Sequence, residues 1–252
     1  MQVGGVTLDI EELSTQLITE IETELAAFPE GQALPSRQVQ ATLRAARTAF
    51  AADRFEAIVH DVLDQQLDAQ DVVTRIHDYS SDFGQQLVAL EHDAKRDASG
   101  PRFDAFVEAF NEDDAYAWRR REIADLFERH DVAADQASLY VEVQTAVLVG
   151  LAQAMPGIDA DTVAALITAL RKHEPQLAEN FATTGVGFAG WLYRDLDDAG
   201  FAQAMDFYRS PVAQRTYAAL MSAYREAIVS GGLLYGQAVA REQQLAQHVA
   251  EI

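Results

Sequence analysis

No cysteine occurs among the 252 residues. That excludes disulfides, thiolate metal sites and a cysteine nucleophile, and it fits a reducing or an oxidising compartment equally well. Lysine is nearly missing: of 19 basic residues only Lys95 and Lys172 are lysines, which reads as a coding bias rather than a phosphate-binding device. Gly and Pro are sparse, at 14 and 6. The most apolar window, Ala146 to Met155, falls short of the roughly 20 residues a bilayer span needs and contains Gln153. The first residues, Met1-Gln2-Val3-Gly4-Gly5, lack a basic region followed by an apolar stretch, so no leader is expected in the sequence as it stands; a leader removed upstream of Val3 is compatible with it. Also missing are His-x-x-x-His, Glu-x-x-His and Gly-x-Ser-x-Gly, the spacings of common metal and nucleophile sites. No metal or cofactor is expected, and the chain leans away from enzyme.

What is abundant is acid. The net charge is −21, a field that repels DNA, RNA and anionic lipid surfaces. The apolar fraction is 49%, enough for a globular core, and the length lies where one core begins to split into two. Ala, Leu, Gln, Glu and Arg dominate, residues that lose little freedom in a helix.

Periodicity agrees with composition. Leu13, Leu17, Ile21, Leu25 and Phe28 recur at three- and four-residue steps, a single apolar stripe that Pro29-Glu30-Gly31 ends. Similar stripes run through Val39 to Phe50, Phe55 to Leu63, Asp71 to Tyr79 and Phe83 to Lys95. Beyond these, helices are expected over 115–129, 133–155, 161–170, 176–181, 188–196, 201–208 and 211–229, with Ser230-Gly231-Gly232 breaking or kinking the chain before a last helix, 233–249. The β-branched stretch Tyr140 to Val149 keeps a four-residue step through Leu139, Val143, Val147 and Leu151. A helix apolar nearly all round is expected to be central and buried. The fold class is all-α, as two tandem, structurally similar antiparallel helical units: residues 1–96, a linker at 97–114 around Ser99-Gly100-Pro101, and 115–252 with a C-terminal helix.

The duplication has a residue-level basis. Shifted by 129, Leu67-Asp68 falls on Leu196-Asp197, Tyr79 on Tyr208, Ser81 on Ser210, Gln85 on Gln214 and Ala89 on Ala218, six identities in 24 positions. A slightly smaller shift pairs Phe28-Pro29 with Met155-Pro156. Each copy reads as helix, tyrosine, serine cap, helix: Ser81 and Ser210 offer an oxygen to free N–H groups, and Pro211 suits a first helical position. Tyr79, Ser81, Tyr208, Ser210 and Pro211 thus form a motif with a structural purpose.

The stretch Phe207-Tyr208-Arg209-Ser210-Pro211-Val212-Ala213-Gln214-Arg215, preceded by Leu196 to Phe201, resembles the signature of an uncharacterised bacterial family. That family is an all-helical domain of unknown function with a Phe-Tyr-x-Ser-Pro-x-Gly-x-Lys motif near its C-terminal end. Ala213 stands at the usual Gly and Arg215 at the usual Lys. The resemblance covers about 40 residues (196–215 and their surroundings) and implies a helical fold and an exported setting, periplasm or envelope, with the cytoplasm a remaining option. It implies no reaction.

Other patterns have plainer readings. Gly185-Val186-Gly187-Phe188-Ala189-Gly190 has dinucleotide-loop spacing but no preceding strand, and reads as helix junction or close helix approach. Asp195, Asp197 and Gly200 match part of a calcium loop, but a helix cap near Phe201 explains them. Trp118-Arg119-Arg120-Arg121 is either a docking site or an exposed turn pairing with Glu122, Asp125 and Glu128. The expected function is a non-enzymatic helical binding or interaction protein of the bacterial envelope. One alternative is a carrier of a small hydrophobic ligand or lipid, with Phe181, Phe188, Trp191 and Tyr217 as pocket candidates; another is an enzyme of unrecognised type, with converging carboxylates of shifted pKa. The expected partner is a protein or a small hydrophobic ligand.

Overall fold

The structure, a computed structural model, describes residues 10–27, 35–155 and 157–250, excluding the side chains of 243 and 245–250. The first residues, the Pro29–Gly31 helix stop and the Phe28/Pro156 pairing lie outside these residues. Among those described the fold is all-α, without strands: α1 (Ile10–Ala26), α2 (Ser36–Ala49), α3 (Ala52–Gln66), α4 (Ala69–Ser80), α5 (Asp82–Arg96), α6 (Pro101–Glu112), a 3₁₀ turn (Asp114–Tyr116), α7 (Ala117–Arg129), α8 (Val132–Ala154), α9 (Ala160–Leu192), α10 (Asp198–Arg209) and α11 (Pro211–Ala250).

Three expected breaks are absent, two in α9 and one in α11. Helix α9 runs unbroken through Pro175, joining segments expected as separate helices. Proline leaves the carbonyl of Arg171 without its usual N–H partner, but Arg171 and Pro175 are both exposed, so water can take that bond. Helix α11 likewise runs through Ser230-Gly231-Gly232. A helical glycine is unfavourable by about 1 kcal/mol against alanine. Here the missing side chains are where neighbours approach: a Cβ on Gly231 would lie 2.8 Å from the Phe50 ring.

The chain forms two compact units, but not as halves. Unit 1 combines 63–137 with 175–221, and unit 2 combines 8–62, 138–174 and 222–252, so α3, α8, α9 and α11 each contribute to both. Segment 97–114, expected as a linker, holds α6, whose Phe110 is 1% exposed in the unit 1 core. The Gly-Pro signal there marks a helix start, with Gly100 at the N-cap and Pro101 at the first position.

The unit 1 core gathers Leu87, Phe110, Ile123, Leu126, Tyr193, Phe201 and Met205. The expected caps are present. Ser81 Oγ accepts from Gly84 N at 3.1 Å and Ser210 Oγ from Ala213 N at 3.2 Å. At the other end of the motif Asp68 caps α4 and Asp197 caps α10, each accepting from the backbone N–H three residues on. Positions 129 apart therefore share both cap residues and cap geometry.

In unit 2, α2, the Phe50 that caps it and α3 bury Ala46, Ala49, Phe50 and Phe55. Ser14 Oγ donates to the Phe50 carbonyl at 2.6 Å, and Tyr235 packs on the Phe50 ring at 5.8 Å. Helices α8 and α11 approach backbone to backbone: a Cβ on Gly150 would lie 2.2 Å from the Leu233 carbonyl oxygen, and one on Gly236 2.2 Å from that of Val147. Glu142 pairs with Arg225 at 3.5 Å and Gln153 with Gln237 at 2.8 Å. Partner numbers rise together, so within this unit α8 and α11 run in the same direction. Nor is α8 buried as expected. By length and apolarity it is sufficient to cross a membrane, yet only 17% of its most apolar window is buried, and Tyr140 is 46% exposed.

Substituting Gly236→Leu forces these helices apart. Overpacking of this kind destabilises by roughly 1–3 kcal/mol. Thermal unfolding followed by circular dichroism should show a midpoint lowered by several degrees; an unchanged midpoint would mean the approach is not tight.

Candidate functional site

A cluster of perturbed ionisable groups lies inside unit 1. Glu91 sits four residues after Leu87 and eight after Phe83, which places it on the apolar face of α5, and it is 8% exposed. Its Oε1 accepts from Tyr193 at 2.7 Å and from Tyr208 at 2.5 Å. Burial raises its pKa, partly offset by those two hydroxyls. Burial also pushes both tyrosines well up, with the charge of Glu91 adding to it. Beside them Arg75, 3% exposed, donates to the Tyr79 hydroxyl at 2.7 Å. Its guanidinium lies 4.4 Å from the Tyr79 ring centre and 4.8 Å from that of Phe207. Arg215, at the basic position of the Ser-Pro motif, forks onto buried Asp71 with two bonds of 2.6 Å and lowers the carboxyl's pKa.

The motif tyrosines therefore reach buried charges, Tyr79 at Arg75 and Tyr208 at Glu91, and Glu91, Arg75 and Asp71 escaped sequence reasoning. A signal existed: Asp71, Arg75 and Tyr79 follow each other at four-residue steps on α4, and Glu91 continues an apolar stripe.

Unit 2 carries a different feature, an open cleft of about 860 Å³ lined by α8, α9 and α11. Val141, Ala146, Val149, Val229 and Leu233 supply apolar surface; Arg171, Glu174, Glu142, Arg225 and Glu226 supply charges of both signs. Thr145 Oγ1, also lining it, is buried without a hydrogen-bond partner.

The expected pocket residues pack against different neighbours. Trp191 is 1% exposed, packed by Phe103 and Phe106, with its indole N–H donating to the Ala94 carbonyl at 3.0 Å. Phe188 lies 6.4 Å from Phe103, Tyr217 packs on His130 at 5.0 Å, and Phe181 is half-buried elsewhere on α9. The Gly185 to Gly190 pattern lies within α9, where helical N–H groups are already engaged, and its glycines receive Phe127, Val107 and Phe110. Asp197 is a cap, and Asp198 pairs with Arg119 at 2.8 Å. The arginine run does not pair with Glu122, Asp125 and Glu128 as one reading had it. Arg119 also binds the Leu196 carbonyl and Arg120 the carbonyls of Phe110 and Asp113, while Arg209 takes Glu122 and Asp125. His60, His77, His92 and His173 are exposed, and His130 Nε2 lies 3.1 Å from the Tyr208 carbonyl oxygen. No group of three or more potential metal ligands converges among the described residues.

The raised pKa of Glu91 has a stability consequence. The native state holds a proton in a pH range where the unfolded carboxyl, near 4.5, has lost it. The contribution is complete below that value and is lost as pH rises through the folded one. Glu91→Gln keeps an acceptor for both tyrosines and removes the buried charge. The variant should be more stable than wild type at about pH 8, by about 1.4 kcal/mol per unit of pKa shift removed. Denaturant unfolding at acid and alkaline pH checks this; a variant destabilised equally at both would contradict it.

No family model, curated protein or solved structure matches the chain, so any functional reading rests on its own geometry.

Proposed function

We propose that this chain is a non-enzymatic binding protein that takes the apolar part of a small hydrophobic or amphiphilic molecule into the unit 2 cleft. The observation that carries the reading is the cleft itself: a volume in the range of about 300–1,000 Å³ typical of small-molecule sites, with an apolar surface bordered by charged and hydroxyl side chains. The half-covered state of α8 supports it, since an apolar helix left this open gains from a greasy occupant. The carrier role thus moves from the Phe181–Tyr217 residues to α8, α9 and α11. The network around Glu91 fits a structural role, because its carboxylate is enclosed by tyrosine hydroxyls rather than facing a cleft. A net charge of −21 disfavours nucleic-acid partners. A periplasmic or envelope setting rests on the resemblance of residues 196–215. A protein-interaction reading has one observation of its own: Val73 and Ile76, one turn apart on α4, are 60% and 39% exposed.

The test is displacement of a fluorescent anilinonaphthalene probe by dodecyl maltoside. Wild-type protein should bind the probe and release it to the competitor. Val229→Glu, which puts a charge on the cleft wall, should weaken both at least ten-fold with an unchanged unfolding midpoint. Equal binding by the variant would remove the cleft from the account.

A further inference from the structure

Resting on that reading, we infer that the cleft ligand is a zwitterionic single-chain amphiphile, its chain against Val149 and Leu233 and its headgroup among Arg171, Glu226 and the Thr145 hydroxyl. Three observations converge. The first is the unused hydroxyl. In a helix a threonine hydroxyl commonly donates to the carbonyl four residues back, as Thr168 and Thr216 do at 2.8 Å. Thr145 Oγ1 does not: it is buried without a partner, on a residue that borders the cleft. A buried hydroxyl without a partner is unfavourable, and an oxygen of a bound headgroup would complete it.

The second is the state of the charges. Arg225 is engaged by Glu142 at 3.5 Å. Arg171 on α9, and Glu174 and Glu226 on α9 and α11, have no side-chain hydrogen bond or ion pair among the described residues. One free cation and two free anions thus border the same apolar surface. A purely anionic headgroup meets the glutamates, and a purely cationic one meets the arginine. A headgroup carrying both signs satisfies both.

The third is the company these charges keep. Val141, Ala146, Val149, Val229 and Leu233 line the same space. An apolar chain covers them while leaving the headgroup at the charged groups, the division expected of an amphiphile.

The experiment compares four monomeric dodecyl probes by isothermal titration below their micelle concentrations: dodecylphosphocholine, dodecanoate, dodecyltrimethylammonium and dodecyl maltoside. Dodecylphosphocholine should bind at least ten-fold tighter than the other three. Arg171→Gln with Glu226→Gln should abolish that preference and leave maltoside affinity unchanged, and Thr145→Val should weaken dodecylphosphocholine alone. Equal affinity for all four, or preference for a single-sign headgroup, overturns the inference and leaves apolar binding standing. Binding of none overturns both. Co-sedimentation with phosphatidylcholine vesicles is the remaining arm: capture by vesicles without uptake of monomers would make the surface a bilayer contact and overturn the ligand class.

Discussion

The backbone contact between α8 and α11 is the constraint on which the unit 2 site depends. Gly150 and Gly236 let each helix rest on a carbonyl of the other, at Leu233 and Val147. Such close approach favours dispersion and weak Cα–H···O contacts where larger residues would hold the axes apart. It also fixes the register of the two walls, so that Val141 to Val149 and Ser222 to Leu233 border one cleft. The glycines that weaken a helix in isolation are what locate this pair.

Unit 1 is held by different physics. Its aromatic core encloses a carboxylate and a guanidinium: Glu91 accepts from Tyr193 and Tyr208, and Arg75 donates to Tyr79 and pairs with Asp78, leaving its Nε without a partner. Buried charges are tolerated when their hydrogen bonds are made, and removing one partner is more damaging than replacing the set. Asp71 and Arg215 add a bidentate pair between α4 and α11. The Tyr-Ser corners at 79–81 and 208–210 thus close helices locally and deliver their tyrosines to a shared polar centre.

Much of the fold was legible because its signals are local. Ser81, Ser210 and Pro211 cap or open helices as their chemistry requires, and stripes such as Phe83-Leu87 lie in the core. What failed depended on neighbours distant in sequence. The stretches 171–175 and Gly231-Gly232 read as breaks, because only the folded partners and exposure at those points show why a helix continues. Segment 97–114 read as a linker because Gly100-Pro101 can end one domain or start one helix equally well. Val132 to Ala154 read as buried because periodicity reports apolarity and not coverage. Trp191 and Phe188 are aromatic whether they line a pocket or fill a core, so the cleft's location was out of reach; Thr145, Arg171 and Glu226 have no local pattern that joins them.

An apolar helix left half covered, charges of both signs left unpaired and a hydroxyl left without a partner all meet at one cleft, and together they favour a bound amphiphile over an empty surface. The most direct measurement is photolabelling with a dodecyl amphiphile bearing a diazirine near its chain end, followed by peptide mapping. The account predicts adducts concentrated within 141–149 and 229–233. Adducts centred on Phe181, Phe188, Trp191 and Tyr217, or scattered without preference over the helices, would contradict it.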